Sequence, residues 1–189
     1  ELRKRGTRDA VELLYTYPIG RVFPIESVAE FVTPILDERD IRYETFFNLE
    51  TVDPAAKQIT SLEGTTLDYD LLVMVPPHRG ASVISDSGLG DDQGWAPTDR
   101  HTLEVKGLDR VYALGDATDL PVSKSGSAAH FQAKVVAERI AVQVTGRAPH
   151  NGHYNGHVLC FLETGNGEAT SLNFDYDHPP VPPRPSHIY

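Results

Sequence analysis

The segment that most narrows what this chain can fold into is VYALGDATDLPVSKSGS, residues 111–127. A short apolar run over 111–114 reads as a buried strand and ends in Gly115-Asp116. About ten residues later a helix signal opens near Ser125-Gly126, runs to about residue 144 and is closed by Gly146. A strand ending in Gly-Asp sets a carboxylate at the carboxyl edge of a sheet, where open α/β folds bind their ligands. Gly115 lets another group come close to the backbone, and Asp116 can accept hydrogen bonds from sugar or ribityl hydroxyls. The helix start offers free N–H groups and a partial positive charge. Taken alone, Gly-Asp is a common turn and Ser125 a common cap; the apolar strand before and the helix after favour a ligand-binding edge.

The rest of the chain fits an α/β layer. Residues 11–15 carry β-formers, and Ile25, Val28, Ala29, Val32, Ile35 and Leu36 repeat on one face of an amphipathic helix, with Pro34 set to loosen its last turn. Residues 41–47 predict a strand, residues 48–64 a hairpin turning at Asp53-Pro54, and residues 67–75 (LDYDLLVMV) the most buried strand, ended by Pro76-Pro77. Strand, helix, strand, hairpin, strand is one half of a Rossmann-like nucleotide-binding layer with an inserted β-meander. Its first strand and Gly-rich turn are missing, so the layer is expected to be truncated on its N-terminal side. Residues 80–98 are loop-like and hold the single Trp, Trp95. The later helix is expected to bury Ala129, Ala133, Val136, Ala137, Ile140 and Val144. HVLCFLE and ATSLNFD flank an Asn166-Gly167 turn and predict a β-hairpin.

Composition removes several function classes. With 17 Lys plus Arg against 27 Asp plus Glu the formal net charge is −10, which argues against sequence-independent nucleic-acid binding. No stretch approaches ~18 uninterrupted apolar residues, so no transmembrane helix is expected. The lone Cys160 excludes an intrachain disulfide framework and fits a reducing compartment. Both ends look cut: Leu2-Arg3-Lys4-Arg5-Gly6 reads as a helix tail, and the proline-rich segment from His178 reads as extended chain with no close. The expectation is a portion of a longer protein.

Three ordered motifs carry a family resemblance over roughly residues 11–180. VYALGDATDLPVSKSGSAAHFQAKVVAERI resembles the second flavin-binding motif of two-dinucleotide-domain flavoprotein reductases. Within those pyridine nucleotide-disulfide oxidoreductases it is most similar to the sulfide:quinone oxidoreductase branch, which includes flavocytochrome c sulfide dehydrogenases. DLLVMVPPHRG resembles that branch's strand ending in a double proline. YNGHVLCFLETGNGEATSLNFDYDHPP resembles its C-terminal hairpin, where a redox-active cysteine follows a Tyr-x-Gly segment.

The resemblance implies FAD as cofactor, sulfide or a related sulfur compound as substrate, and quinone as electron acceptor. Gly115 and Asp116 match the residues that hold the ribityl chain. Lys124, Ser125 and Gly126 match the helix start aimed at the flavin N1–C2=O edge, and Cys160 matches the C-terminal member of the active-site cysteine pair. The other cysteine and the Gly-rich ADP-binding turn belong to the family's N-terminal half, so a fragment alone is expected to be inactive. The implied organisation is a partial second, NAD-like nucleotide-binding domain over residues 1–100. Residues 101–150 are then a returning segment of the FAD domain, and residues 151–189 a hairpin with the redox cysteine and a Pro-rich tail. The implied location is cytoplasmic, peripheral at a membrane through segments outside this chain.

Several rival readings stand beside this one. A free cysteine alternating with Val158 and Phe161 in an apolar strand is ordinarily structural, and a reactive thiol needs a nearby cation or helix start. His150, His153 and His157 are spaced like ligands but sit among Asn-Gly pairs, so no metal site is expected. Asp86, Asp91, Asp92 and Asp99 do not follow the calcium-loop pattern and read as a solvated loop, as does His101; His130 reads as a packed helix histidine or a donor near the flavin. An NAD(P)H-dependent flavin reductase of the same architecture would leave Cys160 idle. A non-catalytic assembly module would use the proline-rich tail to engage a partner.

Overall fold

The computed structural model describes residues 1–147 and 152–187, and the chain divides into two compact units, Glu1–Val75 and Pro76–Tyr189. The architecture is α/β. In the first unit β1 (Leu14–Thr16), α1 (Glu26–Glu38) and β2 (Arg42–Glu44) form a strand–helix–strand crossover, and β1 pairs with β2 in parallel with Leu14 opposite Arg42. Helix α1 buries Val28 and Ala29, two of the positions its periodicity marks. It runs through Pro34 and tightens its end, where the Arg39 N–H donates to both Ile35 and Leu36 carbonyls.

The inserted meander is present. Strands β3 (Leu49–Asp53), β4 (Gln58–Ser61) and β5 (Thr66–Asp68) pair antiparallel in that order. The first turn falls at Asp53-Pro54, where Asp53 Oδ1 accepts from the N–H groups of Ala55 (2.8 Å) and Ala56 (2.9 Å). The long strand expected over residues 67–75 is a correction: β5 stops at Asp68, and residues 71–75 pair with no described strand. The reason is register. Gln58 lies opposite Asp68, and Lys57 takes the Tyr69 N–H. Beyond Lys57 the partner chain turns away, so no backbone remains to continue the ladder. Leu71, Val73 and Val75 are left 83%, 86% and 80% exposed.

The second unit is built around α3 (Gly126–Thr145) and the hairpin β6 (Val158–Gly165) with β7 (Glu168–Phe174). A short helix α2 (Ser82–Asp86) interrupts the expected loop. The strand expected at residues 111–114 is also corrected. Among the described residues only the Val105 N–H to Val111 carbonyl and the Ala113 N–H to Leu103 carbonyl bonds form, with a single bridge at Tyr112, before a 3-10 turn over Gly115–Ala117. Two bonds do not make a ladder. Leu103, Leu120, Val135, Val136 and Tyr154 form the core, with Tyr112, Leu114, Phe131 and Tyr176 packed against it.

Helix α3 begins and ends as its sequence predicts, with Ser125 as N-cap and Gly146 left-handed at the C-cap. Its buried face is turned from the expected one. Ala128, Gln132, Val135 and Val136 are inside, while Ala133, Ala137, Ile140 and Val144 are exposed. The bulky core lies on one side of the helix, and the Gln132 side chain is drawn inward because the Gly115 N–H donates to its Oε1 at 2.6 Å. The C-terminal segment closes as well, correcting the open tail. Pro180 is buried, Thr170 Oγ1 donates to the Pro183 carbonyl (2.7 Å), and β8 (Ser186–His187) pairs with β7. Among the described residues no helix is long and apolar enough to cross a membrane.

Candidate functional site

Every site residue expected from the sequence lies in the second unit. Gly115 is buried at φ +63°, and a Cβ there would meet the Ala129 Cβ at 3.2 Å, so its bareness serves the close approach of the 3-10 turn to α3. Asp116 follows it at the surface. Its carboxylate makes no hydrogen bond or ion pair among the described residues.

The start of α3 is the complementary part. The Ser125 side chain accepts the Ala128 N–H and its carbonyl accepts the Ala129 N–H, while the N–H groups of Gly126 and Ser127 have no acceptor among the described residues. Lys124, just before, is half-buried. Its ammonium donates to the Thr118 carbonyl (2.6 Å) and sits 4.0 Å from the centroid of the Trp95 ring. Burial pushes the Lys124 pKa down, against the opposing pull of Asp116, Asp119 and Asp91.

Cys160 is half-buried in β6, opposite Leu172 of β7. Strand β6 is an edge strand, and one of its outward N–H groups, that of Leu159, donates to Ser127 Oγ at 3.3 Å. The strand carrying the cysteine is therefore tied to the first turn of α3 by the residue next to Cys160. The Tyr-x-Gly segment before it has a packing role: Tyr154 is buried with its hydroxyl on the His157 carbonyl (2.9 Å), and Gly156 lies against the Tyr176 ring.

Three contributors escaped sequence reasoning: Trp95, Ser127 and Gln132. A lone Trp in a polar loop, and a glutamine among small apolar residues of a helix, are the signals that mark two of them. The remaining candidates are placed as ordinary structure. His101 is exposed, yet its Nδ1 lies 3.0 Å from the Tyr154 carbonyl. His130 is exposed on α3. His157 stacks on Phe131 (4.1 Å between centroids) and bonds Asn173, and His150 lies outside the described residues. No group of three or more His, Cys, Asp or Glu among the described residues is arranged to hold a metal ion. Asp91 accepts the backbone N–H groups of Gln93 and Trp95, and Asp99 those of Thr102 and His101, which hold the Asp99 carboxyl below its ordinary value. A cleft of about 310 Å³ between α3 and residues 153–157 is lined by none of the expected site residues.

No family model matches the chain. Curated proteins do: it is 29% identical over 185 residues to the mitochondrial sulfide:quinone oxidoreductase of Mus musculus, covering 95% of this chain. It is 30% identical over 179 residues to the protein of the same name from Dictyostelium discoideum, covering 93% of the chain. Over nearly its whole length the chain is similar to sulfide:quinone oxidoreductases. It spans 41% and 39% of the lengths of those two relatives. The X-ray structure of the sulfide:quinone oxidoreductase from Aquifex aeolicus superposes with a TM-score of 0.76 at 19% identity, covering 98% of this chain and 46% of that one, and so shares the fold. The Rossmann-like reading with its inserted meander therefore holds for this sulfide:quinone oxidoreductase relative.

Proposed function

We propose that the chain is the C-terminal portion of an FAD-dependent oxidoreductase that oxidises sulfide or a related sulfur compound and passes the electrons to quinone. The observation that carries the reading is one helix start serving two purposes. Among the described residues the first turn of α3 leaves two N–H groups open, with an unpaired carboxylate at Asp116 nearby in sequence. The same turn, through Ser127, holds the strand of Cys160. An acceptor carboxylate and free donors at a helix start are the groups a ribityl chain and an anionic ring edge require, so the residues present fit the cofactor.

In this reading Asp116 accepts hydrogen bonds from hydroxyls, and Ser125 and Gly126 hold the helix start open towards negative charge. Gly115 lets the 3-10 turn pack on α3, and Lys124 completes the group. FAD, when bound, supplies two-electron acceptance and onward transfer. Cys160 handles sulfur through its thiol, and a second cysteine must come from outside this chain, which has one. Residues 1–100 then contribute to the second nucleotide-binding domain, residues 101–150 to the FAD domain, and residues 151–189 to the cysteine hairpin. A peripheral position at a membrane surface suits a quinone acceptor.

The test is anaerobic bleaching of flavin absorbance by sulfide in the complete protein, comparing wild type with Cys160→Ser. Loss of sulfide-driven bleaching is expected, with FAD still bound and still reduced by dithionite. Unchanged bleaching sinks the role of Cys160 and moves NAD(P)H-driven flavin reduction to the front.

A further inference from the structure

The side chain of Lys124 is committed before any ligand arrives. Its ammonium spends one donor on the Thr118 carbonyl at 2.6 Å and faces the Trp95 ring at 4.0 Å. Asp116, Asp119 and Asp91 lie near enough to act on its charge, yet none forms an ion pair with it among the described residues. A lysine held by a carbonyl and a ring, rather than by a carboxylate, links two stretches of chain.

Those stretches are the Trp95 loop and the connector that leads from Asp116, in the 3-10 turn, towards α3. They run alongside one another through three further bonds. The Ala96 N–H donates to the Ala117 carbonyl (2.8 Å), the Asp119 N–H to the Ala96 carbonyl (3.2 Å), and the Thr98 N–H to Asp119 Oδ1 (2.8 Å). Trp95 is itself buried, and its backbone N–H donates to Asp91 Oδ1 (2.9 Å). Lys124 stands where the loop, the connector and the helix cap at Ser125 meet.

We propose that Lys124 is a positioning residue, which acts through Trp95 to pin the loop of residues 91–98 onto the connector of residues 116–119 and so fixes Asp116 relative to the start of α3. The inference rests on the flavin reading of that site. It gives Lys124 a different task from the direct flavin contact that the family resemblance implies.

A double-mutant cycle tests it. In the 189-residue chain Trp95 is the single tryptophan, so its fluorescence reports on the loop without any cofactor. Lys124→Met is expected to shift Trp95 emission to the red and raise its quenching by acrylamide, and Lys124→Arg to restore both. In the complete protein, Lys124→Met, Trp95→Leu and the double variant are each expected to weaken FAD binding by about the same tenfold, because all three remove one linkage. Lys124→Arg is expected to recover most of the affinity. Additive losses in the double variant would overturn the proposal and return Lys124 to direct contact with the flavin, as would an unchanged Trp95 emission in Lys124→Met. If Asp116→Ala leaves FAD binding intact while Lys124→Met still shifts Trp95 emission, the flavin reading fails and the pinning stands.

Discussion

Residues 71–75 (LLVMV) and residues 158–162 (VLCFL) are two uncharged apolar runs of equal length, and only the second is a strand. Hydrophobicity does not separate them. The second meets a partner seven residues long, delivered by a two-residue Asn166-Gly167 turn whose positive φ angles (57° and 78°) match the twist of a hairpin. Its opposite edge is held by Ser127. The first follows β5 past the point where β4 has already turned away, and its backbone groups have no ladder to join. An apolar run becomes a strand when the chain brings it hydrogen-bonding neighbours, because burying an unpaired backbone costs more than burying the side chains returns.

Substitutions that break the second run's support should make it behave like the first. The largest effect is expected from Gly156→Ala. Gly156 has φ +86°, and a Cβ there would fall 2.4 Å from the Tyr176 ring. The strain and the collision together should cost about 3 kcal/mol. Urea denaturation followed by far-UV circular dichroism measures it, and a loss below roughly 1 kcal/mol would mean that Tyr176 does not hold the entry to β6.

Val158→Ala should come next. Val158 is fully buried, and removing two methyl groups there should cost about 2 kcal/mol through lost burial and the cavity left behind. The midpoint of the same denaturation curve reads it directly. A neutral result would show that the hairpin is held by its backbone bonds alone.

The alkaline limb of stability offers a third handle on the same support. Burial, with Tyr154 nearby, raises the Tyr176 pKa from 10.0 to about 12, against a lowering pull from Arg100. Between those two pH values the native state keeps a proton that the unfolded chain has released, so stability falls as pH rises from 10 to 12 and levels off above. Tyr176→Phe should flatten that fall, although it also removes the hydrogen bond from the Tyr176 hydroxyl to the Arg100 carbonyl at neutral pH. An alkaline slope equal to that of wild type would assign the titration to other tyrosines.

What could be read from the sequence divides along the same line. The inward positions Val28 and Ala29 of α1, the bounds of α3, the Ser125 cap, the Gly146 stop, the Asp53-Pro54 turn and the Asn166-Gly167 hairpin are written in neighbouring residues, and each was legible. The inward face of α3 was not, because Gln132 is chosen by the Gly115 N–H and not by helical period. Nor was the fate of residues 71–75, which depends on where β4 begins, or the closing of the proline-rich segment on Thr170. Within the candidate site, the helix start and the exposed carboxylate of Asp116 could be foreseen from local spacing. The engagement of Lys124 could not, since its ring partner lies far upstream in a loop whose path nothing local dictates.

The smallest effect should come from Val73→Ala, the same chemical change as Val158→Ala made in the other run. Val73 is 86% exposed, so in this chain it has almost no contact to lose, and the change should fall within about 0.5 kcal/mol of neutral. Run beside Val158→Ala under identical conditions, it isolates the contribution of neighbours from that of side-chain chemistry. A cost approaching that of Val158→Ala would mean that something covers residues 71–75 in solution. Repeating both substitutions at two protein concentrations then decides whether the cover is a second copy of the chain, since a penalty that grows with concentration belongs to association and one that does not belongs to the fold.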